Sequence, residues 1–140
     1  MATPEELVYD RLASDSALTT LIGDRLFPNI VPPHETPLPW VFYTVTEVTP
    51  LGTLGRTLTE KQSFSFDVLA DTFADARAVA TGIRDRLDGW TDRDQIQRVL
   101  WQRTANELTE DGFHQVVEVV VWYRTAPISV FSSAFSSAFA

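Results

Sequence analysis

The sequence contains no cysteine among its 140 residues. Disulfide bonds, thiolate zinc sites and cysteine nucleophiles are therefore excluded. Cations are also scarce, because 11 Lys and Arg stand against 19 Asp and Glu and leave a formal net charge of −8. Binding nucleic acid over a broad surface depends on clustered cations, so a chain this acidic is not expected to hold DNA or RNA in that way.

Long apolar runs and targeting signals are missing as well. The longest apolar run lies within Val116–Tyr123 and contains Glu118, which makes it too short to span a bilayer. The first residues are acidic and lack the basic and apolar segments of a secretory signal. We therefore expect no membrane partner, and assembly in a reducing cytoplasm.

The sequence contains no recognisable motif for catalysis, metal binding or cofactor binding. His34 and His114 lack the spacing of a zinc motif. The sequence has no Gly-x-Ser-x-Gly elbow, and its Gly-x-x-Gly at 52–55 lacks the Lys-Ser or Lys-Thr of a P-loop. We interpret Asp67, Asp71 and Asp75 as acids that favour a helix start. The sequence thus predicts neither an enzyme nor a cofactor.

What is present indicates one globular domain with an extension. Hydrophobic residues make up 44% of the chain and charged residues 21%, which is ordinary for a globular protein. We expect this domain at residues 1–125 and a Ser/Phe-rich extension at residues 126–140. In the extension, Phe131, Phe135 and Phe139 are four residues apart, so a helix would align them on one stripe. Such a stripe suits docking into a partner's groove.

Capping residues predict where the helices begin and end. Thr3 and Pro4 form a helix start, and Ser14–Ser16 ends that helix and caps a short second one. Gly23 is typical of the stop that follows. Thr72 starts a third helix, which ends at Asp88-Gly89.

Between and after the helices, runs rich in β-branched and aromatic residues predict strands. They lie at 25–27, 40–48, 63–68, 95–108 and 113–124, with a hairpin loop at 49–56. Two hairpins separated by a helix indicate an α+β fold. We expect an antiparallel or mixed β-sheet of four to five strands with two main helices packed on one face.

The last strand is apolar on both faces. Val117, Val119 and Val121 alternate with Val116, Val120 and Trp122. Since helices would cover one face of the sheet, the second face needs another cover. Two covers remain open, a neighbouring subunit and the chain's own loops.

The order of several segments resembles the tail-completion or tail-terminator family of long-tailed bacteriophages and gene-transfer agents. The segments are 64–80 with 83–89, Gly-Asp-Arg-Leu-Phe-Pro at 23–28, Pro-Leu-Pro-Trp-Val-Phe-Tyr at 37–43, and Val-Val-Val-Trp-Tyr at 119–123. The resemblance extends over residues 5–124. The Ser/Phe-rich extension lies outside it.

The resemblance implies a structural virion protein at the head–tail junction. Proteins of this kind form a hexameric ring that caps the tail tube, ends tail polymerisation and joins the tail to the head connector. The implied partners are other copies of the chain, the tail tube protein and the connector or stopper protein. DNA would pass through the lumen without specific binding, and an acidic or neutral bore would let it slide.

Eight residues are candidates for contacts with other subunits or partners. Leu51, Leu54 and Arg56 lie in the predicted hairpin loop, Val120 and Trp122 on the second face of the last strand, and Phe131, Phe135 and Phe139 in the extension. Other functions stay open, namely another head–tail connector or stopper, a tail-tube protein, or, in a different class, a small α+β ligand-binding module. The last would require a deep pocket with convergent polar groups, for which the sequence offers no candidate set.

Overall fold

The computed structural model describes residues 3–30, 32–33, 35–53, 56–92, 95–109 and 112–125. These ranges contain three helices and five strands, which confirms the predicted α+β fold class. The elements are α1 (Pro4–Ala13), α2 (Ser16–Ile22), β1 (Leu26–Pro28), β2 (Trp40–Thr53), β3 (Arg56–Ala70), α3 (Phe73–Leu87), β4 (Ile96–Thr109) and β5 (Gly112–Arg124).

All five strands form one mixed sheet in the order β1-β2-β3-β5-β4. The short strand β1 runs parallel to β2, and all other neighbours are antiparallel. The two long hairpins, β2–β3 and β4–β5, are joined through α3. This helix carries the chain past the position of β5, so β5 then fills the space between β3 and β4.

The helices begin where the capping residues predict. The side chain of Thr3 accepts a hydrogen bond from the backbone N–H of Glu6 at 3.2 Å, and Thr72 accepts one from Asp75 at 3.1 Å. Asp15 caps α2 by accepting from the N–H of Ala17 at 3.0 Å. These bonds satisfy backbone donors that the first helical turn leaves without intrahelical partners.

The hydrophobic core lies between the sheet and the helices. Its largest members are Tyr43, Phe64 and Phe66, whose ring centroids are 5.1 to 6.2 Å apart. The Tyr43 hydroxyl donates to the backbone oxygen of Glu5 at 3.0 Å and so ties the sheet to α1. Val79 and Ile83 of α3 belong to the same buried cluster. The alternating apolar residues of the strands thus supply one side of the core, and the helical stripes supply the other.

Two glycines allow close backbone approaches. A Cβ at position 82 would lie 2.8 Å from Cδ2 of Leu18, so Gly82 lets α2 pack directly onto α3. Gly112 has a φ of +146°, and a Cβ there would lie 2.5 Å from the carbonyl oxygen of Ala70. Only glycine adopts this conformation readily, and it places the start of β5 directly beside β3.

The strand boundaries differ from the predicted ones in the first hairpin. We predicted a loop at 49–56, but the ladder continues through the pairs Pro50–Glu60 and Gly52–Thr57 to Thr53–Arg56. A register shift between Leu51 and Gly52 accommodates this stretch. Proline and glycine suggested a loop, whereas pairing with the threonine-rich start of β3 extends the strand.

Candidate assembly surface

The two faces of the sheet differ in what lies against them. Strand residues of the buried cluster alternate along the chain, as in Phe64, Phe66, Val117 and Val119, and they point toward the helices. The residues between them point to the opposite face, on which no described helix lies. We call this the helix-free face, and its members include Phe42, Ser63, Ser65, Asp67, Leu100, Val116, Glu118, Val120 and Trp122.

The helix-free face carries more apolar area than a wetted sheet face normally does. Phe42, Leu100, Val116 and Trp122 lie on it and are half-buried in the single chain. None of the four belongs to the buried core cluster. A sheet face that is open to water usually carries polar residues. The apolar residues on this face therefore favour contact with another molecule.

Val120 lies on the helix-free face as expected, but its side chain is not accessible to a partner. Its side chain is 1% exposed, and its neighbours across the strands are Ser63 and Leu100. A partner on this face would therefore meet Trp122 and Leu100 rather than Val120. Trp122, the other predicted contact on β5, is partly exposed.

Trp122 lies between two cations from the neighbouring strands. Nζ of Lys61 on β3 is 5.9 Å from the centre of the Trp122 ring, and Cζ of Arg98 on β4 is 5.4 Å from it. Both distances suit a cation–π interaction. We call Lys61, Arg98 and Trp122 the Trp122 cluster.

The opposite end of the helix-free face carries carboxylates that already have partners. Nε2 of His114 is 2.9 Å from Oδ1 of Asp67, and Nδ1 is 3.1 Å from Oε2 of Glu107. Midway along the strands, Arg103 forms an ion pair with Glu118. Lys61 and Arg98 thus lie toward the end of the strands that is opposite to His114.

The two edges of the sheet are also unlike. On β4, the N–H of Trp101 donates to Oδ1 of Asp88 at 2.9 Å, and Gly89 N–H donates to the carbonyl of Val99 at 2.9 Å. The end of α3 therefore closes part of that edge. On the other side, β1 pairs only with residues 41–43 of β2, which leaves the rest of β2 as an edge of the described sheet. Open edges can accept a further strand.

The end of the first hairpin is the most exposed apolar part of the sheet. Val48 is 48% exposed and Leu51 is 41% exposed. Leu51, one of the predicted contact residues, is thus accessible to solvent in the single chain. The backbone of Arg56 begins β3, whereas Leu54 lies outside the described residues.

The predicted contacts of the C-terminal extension lie outside the described residues. These are Phe131, Phe135 and Phe139.

A second charged surface lies on the helix side, where α1 meets the sheet. It is a cleft of about 320 Å³ lined by Glu5, Glu6, Tyr9, Asp10, Pro28 and Tyr43. We call it the acidic cleft. Burial, with a further contribution from the Glu5 carboxylate, raises the pKa of Tyr43 well above its ordinary value. This Tyr hydroxyl therefore stays neutral and serves as a hydrogen-bond donor to α1.

A groove between α3 and β4 is a further concavity of the described fold. Its polar part, about 320 Å³, is lined by Arg77, Arg84, Trp101 and Asn106 among others. An adjoining apolar part of about 400 Å³ includes Phe73 and Phe113. Arg84 lies 4.9 Å from the Trp101 ring and is paired with Asp85, so its charge is partly neutralised.

The described residues show neither a candidate metal site nor a candidate membrane-spanning helix. Within the described ranges, no three His, Cys, Asp or Glu side chains are grouped so that they could hold a metal ion. No helix there is both long and apolar enough to cross a bilayer.

Sequence reasoning missed the Trp122 cluster and the acidic cleft. Lys61 could have been found by reading β3 with a period of two, because Lys61, Ser63, Ser65 and Asp67 form its polar side. Arg98 could not have been found by such periodicity, because a register shift between Ile96 and Arg98 places it on the helix-free face.

The fold is a one-sided α+β domain, with a partly apolar sheet face on which no described helix lies. A family model described as tail completion protein gp17 matches residues 6–126. The chain therefore belongs to the tail completion protein gp17 family, and it is a structural tail protein of the virion.

Comparison with solved structures agrees on the fold. A chain of a structure titled "Virion of native gene transfer agent (GTA) particle" is similar, with a TM-score of 0.70 and 22% sequence identity. The similarity covers 86% of this chain and 92% of that chain. At this identity the likeness shows the fold alone. No curated protein matches the sequence.

Proposed function

We propose that this protein is a tail terminator. Copies of the chain form a ring on the last ring of the tail tube, stop its polymerisation and present a surface to the head connector or stopper. The ring is hexameric, and it forms in the host cytoplasm during particle assembly. Membership of the tail completion protein family carries this proposal.

The helix-free face supports assembly into a ring. It presents half-buried aromatic and aliphatic side chains, including Phe42 and Trp122, with no helix of the described fold across them. Repeated contacts between unlike surfaces of identical copies generate a closed ring when the rotation closes. Contact with a neighbouring copy would remove this apolar area from water.

The hairpin end supports a contact along the tube axis. Val48 and Leu51 are exposed toward the end of the hairpin that β2 and β3 form. An exposed apolar tip on a rigid hairpin suits docking onto an adjacent ring. We therefore assign this tip to the tube protein or to the connector.

The net charge supports passage of DNA without binding. Six copies at −8 each give about −48 per ring, which would repel phosphates wherever carboxylates line the bore. We expect an acidic or neutral bore. A continuous ring of arginines facing DNA would contradict this part of the proposal.

Removal of the gene from its producing strain tests the function. Without the protein, we expect tails of uncontrolled length and heads that are not joined to tails when lysates are imaged by electron microscopy. Expression of the wild-type chain in the same strain should restore normal particles. Tails of normal length, joined to heads, in its absence would overturn the proposal.

Deletion of residues 52–57 tests the hairpin contact separately. The deletion shortens the tip and opens the Leu51–Thr59 pair, while the ladder from Trp40 to Pro50 keeps its partners on β3. We expect loss of tail-length control or of head joining, although the protein still folds. Normal tails with the shortened hairpin would show that residues 52–57 make no essential contact.

The purified protein separates a terminator from a tube protein. Tube proteins polymerise into stacked tubes, whereas a terminator forms a single ring. Electron microscopy of the concentrated protein should show monomers or single rings. Stacked tubes would favour the tube alternative.

A further inference from the structure

The Trp122 cluster is an unpaired cationic site in an acidic protein. Lys61 and Arg98 contact the Trp122 ring, and neither forms an ion pair with a described carboxylate. Among the other charges of the helix-free face, Arg103 pairs with Glu118, Asp67 and Glu107 contact His114, and Glu47 accepts a hydrogen bond from Thr49. Cations held beside an aromatic ring on a partly apolar face are suited to a partner that brings its own carboxylates.

The acidic cleft has the complementary composition on the other side of the same chain. Glu5, Glu6 and Asp10 surround apolar surface from Tyr9 and Pro28. None of the three carboxylates makes an ion pair within the described structure. Because Val8 and Leu12 of α1 belong to the buried core, this helix lies on the helix-covered side of the sheet. The two charged surfaces therefore face in different directions.

We propose that the helix-free face of one copy docks through its Trp122 cluster into the acidic cleft of the next copy. Lys61 and Arg98 would meet Glu5, Glu6 and Asp10, and Trp122 would contact Tyr9 and Pro28. The inference rests on the proposed ring and names the surfaces that build it. Since each copy uses two unlike surfaces, every contact leaves one of each kind free, and addition continues until the ring closes.

A twofold contact between two helix-free faces is less favourable. In that arrangement the Trp122 cluster would meet Asp67 and Glu107 of the other copy. Both carboxylates already contact His114, at 2.9 and 3.1 Å. The carboxylates of the acidic cleft have no such partner, so pairing them does not break an existing interaction.

DNA is also a poor occupant for this face. The Trp122 cluster supplies two cations, whereas Asp67, Glu107 and Glu118 bring negative charge to the same face. Strong phosphate binding needs several cations to neutralise several phosphates. The mixed charge therefore favours a protein surface.

Charge reversal of each surface tests the contact. The cationic surface is reversed in Lys61→Glu/Arg98→Glu, and the acidic surface in Glu6→Lys/Asp10→Lys. Each variant, expressed alone in the strain that lacks the gene, should reduce the yield of complete particles about tenfold or more, because like charges then face each other at every contact. Asp71→Lys/Asp75→Lys is the matched control for the second variant, since it makes the same change in net charge at another helix start.

Co-expression of the two reversal variants gives the decisive result. In an alternating ring, the reversed cationic surface of one variant faces the reversed acidic surface of the other, and the native surfaces pair in the next contact. We therefore expect co-expression to restore particles to near the wild-type yield. Thermal unfolding of each purified variant checks that it folds.

Several outcomes would overturn the inference. Normal particles from Glu6→Lys/Asp10→Lys alone would exclude the acidic cleft and favour the twofold contact. Failure of co-expression to rescue two folded variants would exclude the pairing of these surfaces. Binding of a 20-base-pair DNA duplex that Lys61→Glu/Arg98→Glu abolishes would assign the cluster to DNA instead. In all three cases the gene-removal phenotype is unchanged, so the terminator function is tested separately.

Discussion

The two faces of this sheet have different structural roles. On the helix-covered face, Tyr43, Phe64 and Phe66 are fully buried beneath α1 and α3. On the helix-free face, Phe42 and Trp122 are half-buried, and Trp122 lies between the cations of Lys61 and Arg98. The first face therefore determines whether the chain folds, and we infer that the second determines what the folded chain contacts.

This difference shows that an apolar, buried strand residue does not necessarily belong to the core between the sheet and the helices. Val119 and Val120 are neighbours on β5, both 1% exposed, yet only Val119 belongs to the main cluster. A fold with helices on one side leaves its second face to other uses. Substitutions on the two faces should accordingly separate stability from assembly.

Loss of a core aromatic should have the largest effect on stability. Phe66 is fully buried, so Phe66→Ala should lower the free energy of unfolding by about 3 to 5 kcal/mol. Phe42→Ala on the helix-free face should cost about 1 kcal/mol in the single chain while strongly impairing particle assembly. Urea unfolding of both variants measures the first effect, and particle yield the second. Equal losses of stability would show that both faces belong to one core.

Alkaline pH should weaken the helix-covered face specifically. The pKa of Tyr43 is raised by burial, so the folded chain holds this proton at pH values where the unfolded chain has released it. Its contribution is complete below pH 10, the ordinary pKa, and is lost as pH rises toward the folded value. The loss should approach about 1.4 kcal/mol for each pH unit above 10.

Tyr43→Phe is the matched variant for that measurement. It removes the titrating hydroxyl together with its hydrogen bond to Glu5, which should cost about 1 kcal/mol at neutral pH. Its stability should then depend less on pH between 10 and 11 than that of the wild type. An unchanged slope would mean that Tyr43 does not control alkaline unfolding.

The helix layer also protects the β4 edge, with a smaller expected effect. Asp88→Ala removes the acceptor for the Trp101 N–H and should lower stability by about 0.5 to 1.5 kcal/mol. It should also raise nonspecific self-association, because an exposed edge accepts other strands. Light scattering of Asp88→Ala and of Asp85→Ala, which lies three residues earlier and leaves the edge closed, provides the comparison. Similar scattering from both would exclude the edge-closing role.

The paired charges of the helix-free face should affect stability least. Arg103 is 64% exposed, so Arg103→Ala should change the free energy of unfolding by less than about 1 kcal/mol. Thermal unfolding at low and high salt checks this value. A larger loss would mean that surface pairing contributes to folding as well as to assembly.

Much of the fold could be predicted because its signals are local. Thr3, Asp15 and Thr72 mark helix starts through hydrogen bonds within a few residues of the chain. The alternation at 63–68 predicts a half-buried strand, and β3 contains it. The prediction of a loop at 49–56 was wrong, because pairing between β2 and β3 extends the strands through Pro50 and Gly52.

The candidate surface was only partly predictable because it depends on register. Trp122 was assigned to the second face from alternation alone, and it lies there. Arg98 joins it through an irregularity in β4, and Glu6 and Asp10 face a cleft that forms only when α1 packs on the sheet. Such sites arise from tertiary contacts between distant segments, which sequence periodicity does not encode.

The central claim is that the helix-free face becomes buried in the assembled particle. Because the chain has no cysteine, one introduced thiol reports directly on each face. Ser65→Cys lies midway along the helix-free face, and Ala78→Cys lies on the exposed side of α3 as the control. Labelling with a maleimide should be fast for both thiols in the free protein, and in assembled particles it should be strongly slowed at Ser65→Cys alone. Equal labelling of Ser65→Cys in free and assembled protein would contradict the account.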